Sequence, residues 1–275
     1  MNDFYARSRP MPLGQPLDQA DGLRRLFSSR QCRVLPLVAN PYVAFSGVVL
    51  DRLAAVLAAQ GRQVLVVDAA QASPPPNELA ALDLASCIEN VSARVRYLPA
   101  GGLPMAFVDT RGSAHGFIDA VQRAAPQADV ILLHADAHDL VRIYKRRAAR
   151  PLLLGADHPD SIKHAYAGAK LLANRCELLS FDLLLAAPPQ SPRVSAIAQS
   201  LAGCVDTFLG AVLCHTALVD PAVDPAAPAD LALSSLLAAQ FALDAATEPV
   251  PAAAAHAMPA QTAQLPAARA ARPVL

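Results

Sequence analysis

A chain of 275 residues with 54% hydrophobic side chains is long enough for one large α/β domain with a sizeable core. Its 23 basic and 23 acidic side chains cancel, which excludes a global electrostatic pull toward nucleic acid or an anionic bilayer and leaves only local binding. The five cysteines (Cys32, Cys87, Cys176, Cys204 and Cys214) include no C-x-x-C pair and are odd in number, so neither a zinc ribbon nor a disulfide framework is indicated. No apolar stretch approaches the ~20 residues of a membrane span. The first ten residues lack an apolar signal core, and a cytosolic protein is expected.

Residues 1–17 carry Pro10, Pro12 and Pro16 and little that can pack, and are expected to be a disordered lead. Residues 18–30 are more pointed. Asp18 is a candidate N-cap, and Ala20, Leu23, Leu26 and Phe27 fall on a narrow apolar stripe of a short helix. So short a helix needs a surface to dock on, either its own domain or a partner's groove.

Residues 31–246 read as an α/β domain organised around one βαβ unit over residues 34–68. Two apolar runs, the second ending on Asp68, flank an Ala/Leu-rich helix that stops at Gly61. A phosphate-cradling loop between such a strand and helix needs glycines and a lysine. Here residues 39–47 hold no lysine and only Gly47. Pro41 has no N–H to offer, and Tyr42, Val43 and Phe45 bring bulk. The pattern is that of an NTPase scaffold without NTP chemistry. Pro36 sits inside the first strand, where a central strand resents a missing donor.

Beyond a turn-rich segment with three consecutive prolines, residues 77–91 are expected to be helical and residues 94–99 a strand ending in Gly101 and Gly102. A helix over 112–125 turns Phe117, Ile118 and Val121 inward, and a buried strand over 130–133 follows. His134, Asp136 and His138 then sit at a strand's C-terminal end, and read either as a metal cluster or as solvated residues of an irregular loop. Residues 140–150 carry Arg142, Lys145, Arg146, Arg147 and Arg150 on a short helix, a solvated face or a contact for an acidic partner or anionic lipid. Strands over 151–156, 180–187 and 211–218 alternate with helices over 159–172 and 194–211, the latter carrying Ile197, Leu201, Val205, Phe208 and Leu209. A last helix over 231–243 lacks the basic face that membrane binding requires, so packing on the domain is expected. Residues 247–275 are Ala/Pro-rich and read as a flexible tail. The alternation predicts a doubly wound, mostly parallel sheet flanked by helices.

Two segments resemble a known family. DQADGLRRL at the N-terminal end is similar to the DQAxGLRxL motif of FlhG, the MinD/ParA-like regulator of flagellar number and placement, with matches at Asp18, Gln19, Ala20, Gly22, Leu23, Arg24 and Leu26. PDSIKHAYAGAKLL is similar to the family's TEPTSITDAYALIKLL, matching at Pro159, Ser161, Ile162, Ala165, Tyr166 and Lys170 among others. The resemblance implies a P-loop NTPase fold of MinD type in degenerate form. The family's SGKGGVGKT lies without a gap over residues 39–47, including Asn40. Its signature lysine falls on Pro41, its P-loop lysine on Ser46 and its magnesium-binding threonine on Gly47, while Asp68 keeps the first acid of the second strand. ATP and magnesium, the family's cofactors, are therefore not expected here.

The resemblance further implies a partner, the SRP-type GTPase FlhF, engaged through Asp18, Gln19, Ala20, Leu23, Arg24 and Leu26. Flagellar C-ring proteins, weak or indirect membrane association and a place at the flagellar pole are implied in the same way. Three readings stay open: a nucleotide-free activator of FlhF, a working ATPase with an unorthodox site, and a metal-dependent hydrolase built on His134, Asp136 and His138.

Overall fold

In the computed structural model, residues 32–245 are described, apart from Leu82 and Arg146. The 18–30 motif and the 247–275 tail lie outside the described residues. The elements run β1 (Arg33–Val38), α1 (Ser46–Ala59), β2 (Val64–Asp68), β3 (Glu89–Asn90), β4 (Val95–Pro99), α2 (Gly116–Ala124), β5 (Val130–Ala135) and α3 (Ala137–Tyr144). They continue with β6 (Leu152–Ala156), α4 (Pro159–Cys176), β7 (Ser180–Ala186), α5 (Val194–Leu209), β8 (Val212–Val219) and α6 (Leu231–Ala245).

The strands form one sheet in the order β3-β4-β2-β5-β1-β6-β7-β8, parallel throughout except for the β3–β4 pair. Successive residues of a strand face opposite sides. Val64 and Val66 therefore join Leu35, Leu37, Leu53 and Leu57 beneath α1 and α6, whereas Leu65 and Val67 join Phe117, Leu140, Leu172 and Leu201 beneath α2 to α5. Helices on both faces explain why the central strands are near-continuous apolar runs. Helix α1 ends as its sequence dictates. Gly61 takes a left-handed φ of 85°, and Arg62 donates its N–H back to the Leu57 carbonyl.

Pro36 is accommodated by register. Arg33 and Ala39 donate their backbone N–H toward β5, so alternate residues such as Pro36 face β6. The β1–β6 ladder starts only at Leu37 opposite Leu152, and the missing donor lies just outside it.

Three expectations need correction. Residues 77–91 are not a helix but two 3-10 turns, Glu78–Ala81 and Ala85–Cys87, followed by β3. Asp83 is the cause: its carboxylate accepts from the Ala85 N–H and its carbonyl from the Ser86 hydroxyl, local bonds that compete with an α-helix. The basic helix ends at Tyr144, so Lys145, Arg147 and Arg150 lie beyond it, and Arg150 is buried. Phe208 is 71% exposed and not part of the α5 packing face that Leu201 and Val205 form. The final helix packs on the domain as expected, with Leu233, Leu236 and Leu237 buried beside α1.

Arg150 belongs to a polar knot at the lower end of the sheet. Asp182 of β7, 0% exposed, forms an ion pair with Arg150 Nε at 2.9 Å and accepts hydrogen bonds from Gln240 Nε2 of α6 at 2.7 Å and the His215 backbone N–H at 3.0 Å. Gln240 also donates to the Arg150 carbonyl. Arg52 of α1, likewise buried, donates to the carbonyls of Pro225, Ala227 and Pro228 and pins the segment that leads into α6. Removing one partner of a buried pair strands the other's charge, at a cost of about 3–5 kcal/mol. Asp182→Ala is expected to destabilise the protein by that amount in urea denaturation, while Lys163→Ala, at an exposed ion pair on α4, changes stability by less than about 1 kcal/mol.

Candidate functional site

The upper rim of the sheet, at the C-terminal ends of β1, β2 and β5, opens into a cleft of about 1060 Å³. Open parallel sheets place ligands there. The loop between β1 and α1 forms one wall, and its conformation is fixed by Asn40. That side chain is 3% exposed, and its Nδ2 donates to the Leu154 carbonyl of β6 (2.8 Å) and the Ser161 carbonyl of α4 (2.8 Å), with the Ser161 Oγ at 3.1 Å. Its Oδ1 accepts from the Tyr42 N–H at 3.1 Å, and the Asn40 carbonyl accepts from Val43. The carboxamide thus bridges β1 to β6 and α4 and closes a tight turn.

The turn directs Val43 into the core and leaves Tyr42 (51%) and Phe45 (59%) exposed, Tyr42 edge-on to His164 of α4. No residue between 39 and 47 has positive φ, the left-handed regions being confined to Gly61, Gly102, Gly112, Glu177 and Gly210 among the described residues. Phosphate-cradling loops converge successive N–H groups by alternating right- and left-handed residues. This loop does not.

The opposite wall is organised by Asp68 at the end of β2. Its carboxylate accepts from Ser73 Oγ (2.5 Å), His134 Nδ1 (2.7 Å) and Tyr97 Oη (3.2 Å), joining β2, β4, β5 and the following loop. An ionised carboxylate only accepts, so the His134 proton sits on Nδ1. Burial opposes the charge on Asp68, but the hydrogen bonds from His134 and Ser73 and the nearness of His134 hold its pKa below the ordinary value. Burial, and after it the same carboxylate, pushes the Tyr97 phenol well up, so it remains a donor. Asp136 accepts the Gln71 N–H at 2.7 Å and ties the loop after β2 to the start of α3. Gly101 supports that loop from below. A Cβ there would lie 2.4 Å from the Ser73 carbonyl oxygen.

Asp68 is therefore a hub and not merely a cap for the turn after it. His134, expected on a loop, is the penultimate residue of β5 and almost fully buried, Asp136 precedes α3, and His138 is inside it. The three share the cleft but not a coordination sphere. Nδ1 of His134 is spent on Asp68, and among the described residues no three His, Cys, Asp or Glu side chains are placed to hold a metal ion. Ser46 and Gly47 open α1 without a side-chain cap, and Pro41 lies on the loop's exposed side. Tyr97, Ser73 and Ser161 were not foreseen. Tyr97 stands two residues before Pro99, the register partner of Asp68, a relation visible only once the strand order is known.

No family model matches the chain, and no curated protein matches it. Solved structures do. A putative plasmid partition protein from Borrelia burgdorferi B31, bound to AMPPNP, aligns with a TM-score of 0.53 at 9% identity over 76% of this chain and 98% of that one. A ParA family ATPase from Chlorobium tepidum aligns at 0.42 and 15% identity, covering 79% and 94%. The MinD cell division protein of Aquifex aeolicus aligns at 0.46 and 13%, covering 69% and 84%. With the strand order, the first of these shows the fold alone: a mostly parallel α/β sheet flanked by helices, like that of the plasmid partition protein.

A nucleoside triphosphate with magnesium is the ligand such a fold suggests. The residues present do not fit it: the loop has no nest and no Lys or Arg between residues 39 and 47, and the acid on the facing strand already accepts from three donors of the protein.

Because the pKa of Asp68 is lowered on folding, its stabilisation is complete above the ordinary carboxylate value near 3.8 and fades as pH falls below it. Asp68→Asn is expected to cost about 1–3 kcal/mol at neutral pH. Urea titrations should show that cost shrinking as the pH is taken below that value.

Proposed function

We propose that this chain is an FlhG-like regulator of flagellar number, placement and assembly that works as a pseudo-ATPase. It binds the SRP-type GTPase FlhF and stimulates it through the DQADGLRRL segment. The observation that carries the reading is the match of that segment at Asp18, Gln19, Ala20, Leu23, Arg24 and Leu26, on a chain whose fold is of ParA/MinD type. A second support is the Pro159 to Leu172 match. Pro159 opens α4, and Ser161 within it is fully buried and holds the Asn40 carboxamide.

In this reading Gln19 helps to organise the GTPase's catalytic centre, as water-positioning glutamines do in phosphoryl transfer. Asp18 and Arg24 orient it, and Leu23 and Leu26 anchor the docked face beside Ala20. No nucleotide is needed to shape the activator. Contacts with flagellar C-ring proteins, and an indirect membrane association at the flagellar pole, follow from the same resemblance. Among the described residues no helix is long and apolar enough to cross a membrane. The reading as a working ATPase has the cleft in its favour and lacks a phosphate cradle.

GTP turnover by FlhF, measured alone, with this protein and with its Gln19→Ala variant, all without ATP, tests the proposal. Stimulation by the wild type and loss of most of it in the variant is the expected result. Stimulation that requires ATP, or none at all, contradicts it.

A further inference from the structure

The zero net charge of the chain conceals a local imbalance. Two adjoining concavities on the α2–α3–α4 side, about 350 and 600 Å³, share Lys145 and Arg147 in their walls. Arg111 and His115, from the segment before α2, line the first, and Arg175, in the last turn of α4, lines the second. The basic side chains thus come from three separate parts of the chain. They are not one solvated helix face.

Arg147 shares Asp119 at 2.8 Å. Arg111, Lys145 and Arg175 form no ion pair among the described residues. Asp109 lies in the first concavity, but its Oδ1 already accepts the Arg111 and Ser113 backbone N–H groups. Bringing like charges together costs stability unless a counter-charge arrives.

We infer that this face is a docking surface for an acidic segment of a partner protein, one whose Asp or Glu carboxylates enter the two concavities against Arg111, Lys145, Arg147 and Arg175. A carboxylate is planar and small, and pairs with guanidinium groups through two parallel hydrogen bonds. A nucleic-acid backbone fits the face less well. No Phe, Tyr or Trp lines either concavity to stack a base. A bilayer needs apolar anchors beside its basic residues, and Leu179 is the one large apolar side chain exposed along these walls. The surface is built from residues other than 18–30, so its test does not depend on FlhF.

Fluorescence anisotropy on the full chain tests the inference with three probes: a labelled oligo-glutamate peptide, a labelled duplex DNA, and vesicles containing phosphatidylglycerol. The peptide is expected to bind the wild type and the Lys163→Glu control. The Arg111→Glu/Lys145→Glu variant should bind it roughly tenfold more weakly or worse, with an unchanged circular dichroism spectrum and melting temperature. Failure of the peptide to bind, equal binding to the double variant, or preferential binding of DNA or vesicles through the same residues overturns it.

Discussion

The hydrogen bonds of one carboxamide set the character of the upper rim. Asn40 leaves the end of β1 and, buried, gives both its N–H bonds to carbonyls on β6 and α4. Buried polar groups are costly unless satisfied, and here satisfaction fixes a loop, a strand and a helix relative to one another. With the loop held, the Val43 side chain goes into the core and the remaining bulk is turned outward. A loop in this state is a structural joint. It has none of the left-handed residues with which an anion cradle converges its N–H groups.

The same economy appears on both ends of the sheet. Asp68 at the upper end and Asp182 at the lower end are carboxylates held by donors from several elements. The upper hub ties the loop after β2 to β4 and β5, and the lower one ties α6 to β7. Between them the apolar strands need no further specification, because every position of the central strands faces one of two helix layers. The molecule is thus ordered at its rim by its own side chains.

Much of the fold was legible in the sequence because parallel strands covered on both faces write themselves as continuous apolar runs, and Gly61 marks a helix end by its backbone freedom. The failures have local causes. Asp83 diverts residues 77–91 from a helix through bonds that no periodicity reveals. His134 looked like loop because it is polar, yet strand β5 continues through it, since Asp68 provides the partner that lets an imidazole be buried. Arg150 looked like part of a solvated run until Asp182, distant in sequence, proved to be its counter-ion. The lack of a lysine, and of any glycine before Gly47, over residues 39–47 was plain from the sequence, whereas the clasp of Asn40 on Ser161 was not, because it joins residues that only the strand order brings together.

Titration calorimetry of the full chain with ATP and magnesium bears most directly on the claim that this rim is a joint and not a nucleotide site. The account predicts no saturable heat. Saturable, magnesium-dependent binding that weakens when Asp68 or Ser46 is replaced would contradict it and would mean that the Asn40 clasp opens to admit phosphate.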